Sequence, residues 1–171
     1  KWASIAEGFL EKTMPWEVEA EMNEGKLPEK IDAEHRQMAI DLGLSSMDIP
    51  KSYGGQNLSI LEQVVVWEVL GRGTNALTWC FSEPQSWMLD ACDDEQIESY
   101  ILPLMDGRRH ECYAITEPES GSEVHVDTSA DKIDNGYRIN GEKWFVTGAN
   151  HADFFFIQAK IFKGKENLGD A

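Results

Sequence analysis

Positive charge is scarce in this chain: 15 Lys and Arg stand against 31 Asp and Glu in 171 residues, a formal net charge of −16. So acidic a composition argues against nucleic acid or an anionic membrane surface as partner, because both are bound through Lys and Arg. It also offers no broad attraction to an anionic ligand, so a nucleotide-bearing molecule would have to be held by backbone donors and a few placed cations such as Lys143. Cysteine is equally sparse. Cys80, Cys92 and Cys112 are odd in number and contain no C-x-x-C pair, which argues against a disulfide framework or a closed zinc site and suits a reducing interior, cytoplasmic or mitochondrial-matrix. Long apolar runs are missing too. Val64-Val65-Val66-Trp67 and Phe154-Phe155-Phe156-Ile157 are far too short to span a bilayer, and no secretory signal opens the chain. The first residue is Lys1, consistent with a missing N-terminal piece. No Walker lysine signature, strand-to-helix dinucleotide fingerprint, Ser/His/Asp or Cys/His arrangement is visible by motif.

What is present is a globular composition, 42% apolar, with two different local grammars. As far as Arg109 the chain reads as helices. Ser59 and Glu62 have capping-box spacing ahead of an apolar stripe that ends at Gly71 and Gly73. Asp32 is expected to cap a helix running toward Gly43, and Asp94 another through Ile97, Ile101 and Leu104 that stops near Gly107. Between Trp2 and Met22, Pro15 must kink or break any helix. From His110 onward, residues 128–133 alternate, and Asn135-Gly136 and Asn140-Gly141 each signal a hairpin. Strands are expected at Tyr137-Arg138-Ile139, from Lys143 to Val146 and from Asp153 to Ile161, with a polar end from Lys163. The fold class is therefore α+β: an all-α domain over 1–109, then a partial antiparallel barrel or sheet domain over 110–171.

Two segments carry the chemistry. Tyr113-Ala114-Ile115-Thr116-Glu117-Pro118-Glu119-Ser120-Gly121-Ser122 runs from an apolar strand into a Pro/Gly turn, where hydroxyls and backbone N–H groups can meet an anionic or carbonyl-rich ligand. Lys143-Trp144-Phe145-Val146-Thr147-Gly148 offers aromatic faces and a hydroxyl. Each alone could be an ordinary turn or a sheet-packing strand. As a pair they suit an isoalloxazine ring, which needs a flat apolar wall and donors at its polar edge.

The pair, in this order, resembles the acyl-CoA dehydrogenase family. So do Ile49-Pro50-Lys51-Ser52-Tyr53-Gly54-Gly55 with Leu58-Ser59, and Asp94-Glu95-Gln96 through Leu102-Pro103-Leu104, so that the likeness covers nearly the whole chain. The resemblance implies FAD as cofactor, with Tyr113, Ile115, Thr116, Gly121, Ser122, Phe145, Val146 and Thr147 as its contacts. Thr116 would reach the polar edge of the ring, Ser122 would lie near phosphate or acyl-CoA, Phe145 would stack and Thr147 would serve the hydride-accepting side, leaving Trp144 to the core. Glu119 stands where the family's usual turn has glycine. Glu117 would be a loop-structuring acid.

The implied reaction is α,β-dehydrogenation of an acyl-CoA, with an electron-transfer flavoprotein as acceptor and a homo-oligomer as the full-length assembly. The family's C-terminal helical bundle, which supplies the carboxylate base, is absent, so the chain reads as a fragment, a truncated product or half of a split enzyme, and its catalytic base is unassigned. A module that keeps the fold without flavin, and an acyl-CoA oxidase or flavin monooxygenase of the same architecture, remain open. His125 and Asp127 lack further ligands at metal spacing, and His35, His110 and His151 read as surface or capping residues.

Overall fold

Reciprocal caps set where two of the helices begin. In a computed structural model, which describes residues 1–74, 77, 84–119, 126–164 and 166–170, the chain divides into two compact units, Lys1–Arg109 and His110–Ala171.

In the first unit, α1 (Trp2–Thr13) gives way to a 3₁₀ turn at Met14–Trp16, with Pro15 tolerated at its start, and then to α2 (Glu17–Met22). Helix α3 spans Glu29–Asp41. It starts after Pro28, so Asp32 lies within its first turns and bonds Arg36 at 2.9 Å instead of capping the helix. Helix α4 (Ile60–Leu70) opens on the expected box: Ser59 Oγ accepts from the Glu62 amide while Glu62 Oε2 accepts from the Ser59 amide at 2.9 Å. Ala6, Phe9 and Leu10 of α1, Ala39 of α3, and Val66, Val69 and Leu70 of α4 share one core with Leu44, Met47 and Leu58.

Helix α5 (Trp87–Ala91) precedes α6 (Asp94–Gln96), whose cap is Asp93 and not Asp94. Asp93 Oδ1 accepts the Gln96 amide at 2.8 Å and Gln96 Oε1 accepts the Asp93 amide at 3.0 Å. The helix passes through a π turn at Ile97–Ile101 into α7 (Leu102–Met105). Pro103 cannot donate back into that turn, and the backbone loosens just ahead of it. His35, expected at the surface, is buried, and burial lowers its pKa. At Gly55 a Cβ would stand 2.1 Å from the Ile49 carbonyl oxygen, which accounts for glycine at that place in the Tyr-Gly-Gly motif.

The second unit holds β1 (Glu111–Ala114), β2 (Ser129–Ile133), β3 (Gly136–Asn140), β4 (Phe154–Ile157), β5 (Lys160–Lys163) and β6 (Glu166–Asp170). The β2–β3 and β5–β6 pairs are antiparallel hairpins and β1–β4 and β2–β5 are parallel, so the expected partial sheet domain is present, with parallel pairings added to the antiparallel ones. The sheet orders are β1-β4 and β3-β2-β5-β6.

Three local expectations change. The first hairpin turns on Asp134-Asn135, with Gly136 already paired to Ile133. The segment from Lys143 to Val146 is not a strand, and the expected polar end carries β6. Among the described residues, the buried apolar side chains of this unit are small or medium: Cys112, Ala114, Val126, Ala130 and Ala159.

Candidate functional site

Alternation along β1 buries Cys112 and Ala114 and leaves Tyr113 exposed, with Ile115 exposed just beyond the strand. The Tyr113 ring stacks on Phe156 of β4, with centroids 5.1 Å apart and planes 19° from parallel. Burial, and then the neighbouring Glu111 carboxylate, push the Tyr113 hydroxyl up to about 12, so it stays a neutral donor.

Directly after β1 the two sequence motifs meet. The Trp144 amide donates to the Thr116 carbonyl at 2.8 Å. Lys143 Nζ donates to the Ile115 carbonyl at 2.9 Å and to Glu117 Oε1 at 2.7 Å.

Glu117 is buried at the junction and accepts from every side. Its Oε1 also takes the Thr128 amide at 2.9 Å and the Thr128 hydroxyl at 2.5 Å, and its Oε2 takes the Asp127 amide at 2.5 Å. Burial alone would raise its pKa; the Lys143 ammonium, the Thr128 hydroxyl and the Asp127 and Thr128 amides together reverse that and hold it well below the usual carboxylate range. Lys143, read from sequence as a cation available to a ligand, is therefore spent on Glu117 and Ile115. Gly141 comes close over Thr128, where a Cβ would stand 2.3 Å from Oγ1, so Asn140-Gly141 marks a close approach and not a second hairpin.

Past this junction, Phe145 has φ 53°, a left-handed backbone that an aromatic residue rarely adopts, and its side chain is 84% exposed. The Trp144 ring meets it edge-on, with centroids 6.0 Å apart. Trp144 is itself 45% exposed, which corrects its assignment to the core; its Nε1 donates to Glu142 at 2.6 Å. Val146 is half-buried, and Thr147 is exposed at the start of a turn closed by the Ala149 amide on the Val146 carbonyl at 3.2 Å.

Thus Tyr113, Ile115 and Thr116 are joined to Phe145, Val146 and Thr147 through the Trp144–Thr116 bond, while Gly121, Ser122 and His125 lie outside the described residues. A cavity of about 240 Å³ beside the junction is lined by Glu117, Glu119, Asp127, Thr128, Asn140 and Glu142, among others. Among the described residues no cluster of His, Cys, Asp or Glu is arranged to hold a metal, and no helix is long and apolar enough to cross a membrane. The resemblance implied a loop-structuring role for Glu117; what sequence reasoning missed is its pairing with Lys143 and Thr128. Its only signal was an acid in the first motif and a lysine opening the second.

Residues 2–108 match the family model for the acyl-CoA dehydrogenase N-terminal domain, and residues 112–170 that for its middle domain. Among curated proteins, the caffeyl-CoA reductase–Etf complex subunit CarC of Acetobacterium woodii is 30% identical over 96% of this chain and 44% of its own length. A medium-chain specific acyl-CoA dehydrogenase of Caenorhabditis briggsae, mitochondrial by name, is 34% identical over 72% of this chain and 31% of its own. Among solved structures, an acyl-CoA dehydrogenase from Bacillus anthracis complexed with FAD superposes with a TM-score of 0.75 at 28% identity, over 94% of this chain and 28% of that one. The chain thus spans less than half the length of each of these relatives.

Proposed function

The chain belongs to the acyl-CoA dehydrogenase family, and on that footing we propose that it forms the helical and middle-sheet portion of a FAD-dependent oxidoreductase acting on acyl-CoA thioesters. The observation that carries this reading is the Trp144–Thr116 hydrogen bond, which sets an exposed aromatic ring and two threonines at one junction. The residues suit a flavin. Phe145, Ile115 and Tyr113 expose apolar surface, Thr116 and Thr147 carry hydroxyls, and Phe145 holds a costly backbone conformation of the kind that clusters at ligand sites.

In the proposed division of labour, Phe145 supplies the wall, Thr147 and Thr116 donate to the polar edge, and Tyr113, Ile115 and Val146 exclude water. Gly121 and Ser122 would serve phosphate or acyl-CoA. Bound FAD would supply the electron acceptor that no protein side chain offers. The α-proton of a thioester needs a desolvated base, and Glu117 cannot be it, because its oxygens already accept from Lys143, Thr128 and Asp127. No base is assigned among the described residues, and an electron-transfer flavoprotein is the proposed redox partner.

Titration of the chain with FAD, followed by flavin fluorescence, tests the reading. Wild type should bind, with Phe145→Ala and Thr147→Val weaker; no binding by wild type rejects it. The relatives bear both dehydrogenase and reductase names, so the extended protein should be assayed in both directions. Rapid reoxidation of the reduced protein in air would favour an oxidase or monooxygenase.

A further inference from the structure

We infer that the Glu117–Lys143 pair is a clasp that positions the flavin-facing residues, fixing the Thr116 segment against the segment from Phe145 to Thr147. This rests on the flavin reading above and adds two residues to it that touch no ligand.

The geometry is specific. Lys143 Nζ reaches the Ile115 carbonyl and the Glu117 carboxylate, the two residues that flank Thr116, while the Trp144 amide takes the Thr116 carbonyl itself. Two consecutive residues of one segment thereby grip three consecutive residues of the other. The pair is shielded, with side chains 10% and 4% exposed for Lys143 and Glu117, so it escapes the screening that makes surface ion pairs weak. Glu117 is further anchored by Thr128 and the Asp127 amide, and Gly141 lets the chain lie against Thr128 on its way to Lys143. Phe145 follows within two residues of Lys143, and its left-handed backbone persists only where surrounding contacts over-determine it.

Amide hydrogen exchange of the unliganded chain, read at Trp144, paired with FAD titration, tests the clasp. In Lys143→Met, Trp144 exchange should accelerate by about tenfold or more while the amides of the β2–β3 hairpin keep their protection. FAD affinity should fall by about tenfold. Lys143→Arg should recover much of both. If Lys143→Met also strips the hairpin, Glu117→Gln decides, since it keeps the side-chain shape and removes the charge; it should loosen Trp144 selectively. Unchanged Trp144 exchange in both variants overturns the clasp. A wild type that binds FAD no better than Lys143→Met overturns the positioning role alone, whereas a wild type that binds no FAD overturns the reading beneath it.

Discussion

A Cβ placed on Gly141 would stand 2.7 Å from the Thr128 Cα, a backbone atom that no side-chain rotation can move aside. Gly141→Ala should therefore destabilise the chain by about 1–3 kcal/mol, the usual cost of overpacking. Gly8, inside α1, has nothing within 4 Å of its Cβ position. Gly8→Ala should stabilise by about 0.5–1 kcal/mol, because alanine is the better helix former. Urea unfolding of the two variants checks the contrast, and similar effects in both would show that the approach to Thr128 is looser than it stands here.

Phe145 should trade stability for binding. Its φ of 53° is comfortable for glycine and costly for an aromatic residue. Phe145→Gly should raise the unfolding free energy by about 1 kcal/mol while weakening FAD uptake. Trp144→Ala, at a half-exposed ring, should cost no more than about 1 kcal/mol. A loss of stability in Phe145→Gly would mean that the ring packs in a way its exposure does not suggest.

Acid should find Glu117. Its folded pKa is held below the ordinary carboxylate range, so its contribution is complete above an unfolded pKa of about 4.3 and is lost as pH falls beneath that toward the depressed folded value. At pH 7 Glu117→Gln should be less stable than wild type by about 3 kcal/mol, since Lys143 is left buried without its counter-charge. At pH 3 the gap should narrow. Denaturant midpoints at the two pH values measure it, and an unvarying gap would remove Glu117 from the acid response.

The start of α6 gives a simple discrimination between neighbouring acids. Asp93→Ala should cost about 1 kcal/mol through loss of the reciprocal box with Gln96, whereas Asp94→Ala should cost a few tenths. Thermal unfolding of both variants separates them.

That pair of acids also shows how much was legible beforehand. The box rule applied one residue earlier would have selected Asp93, because glutamine stands three positions on, whereas Ile97 stands three after Asp94. Ser59 and Glu62 were readable for the same reason. The β2–β3 hairpin was legible from its alternation, although the turn slipped by one residue.

What escaped was long-range. Asn140-Gly141 looks like a turn in any local window, and only the distant Thr128 makes it a close approach. The stretch from Lys143 to Val146 has strand composition, yet the bonds of Lys143 and Trp144 go to residues 115–117 and its backbone departs from a strand at Phe145. The parallel β1–β4 pairing joins strands some forty residues apart, with no local mark to announce it. At the candidate site, both motifs and the exposed Phe145 ring could be singled out by eye, but the buried network beneath them could not. Lys143 was expected to face a ligand, and it faces an acid.

Glu117 and Lys143 are 26 positions apart in the chain. During synthesis at about 5–20 residues per second, the carboxylate waits more than a second for its cation, with only the Asp127 and Thr128 donors made before Lys143 arrives.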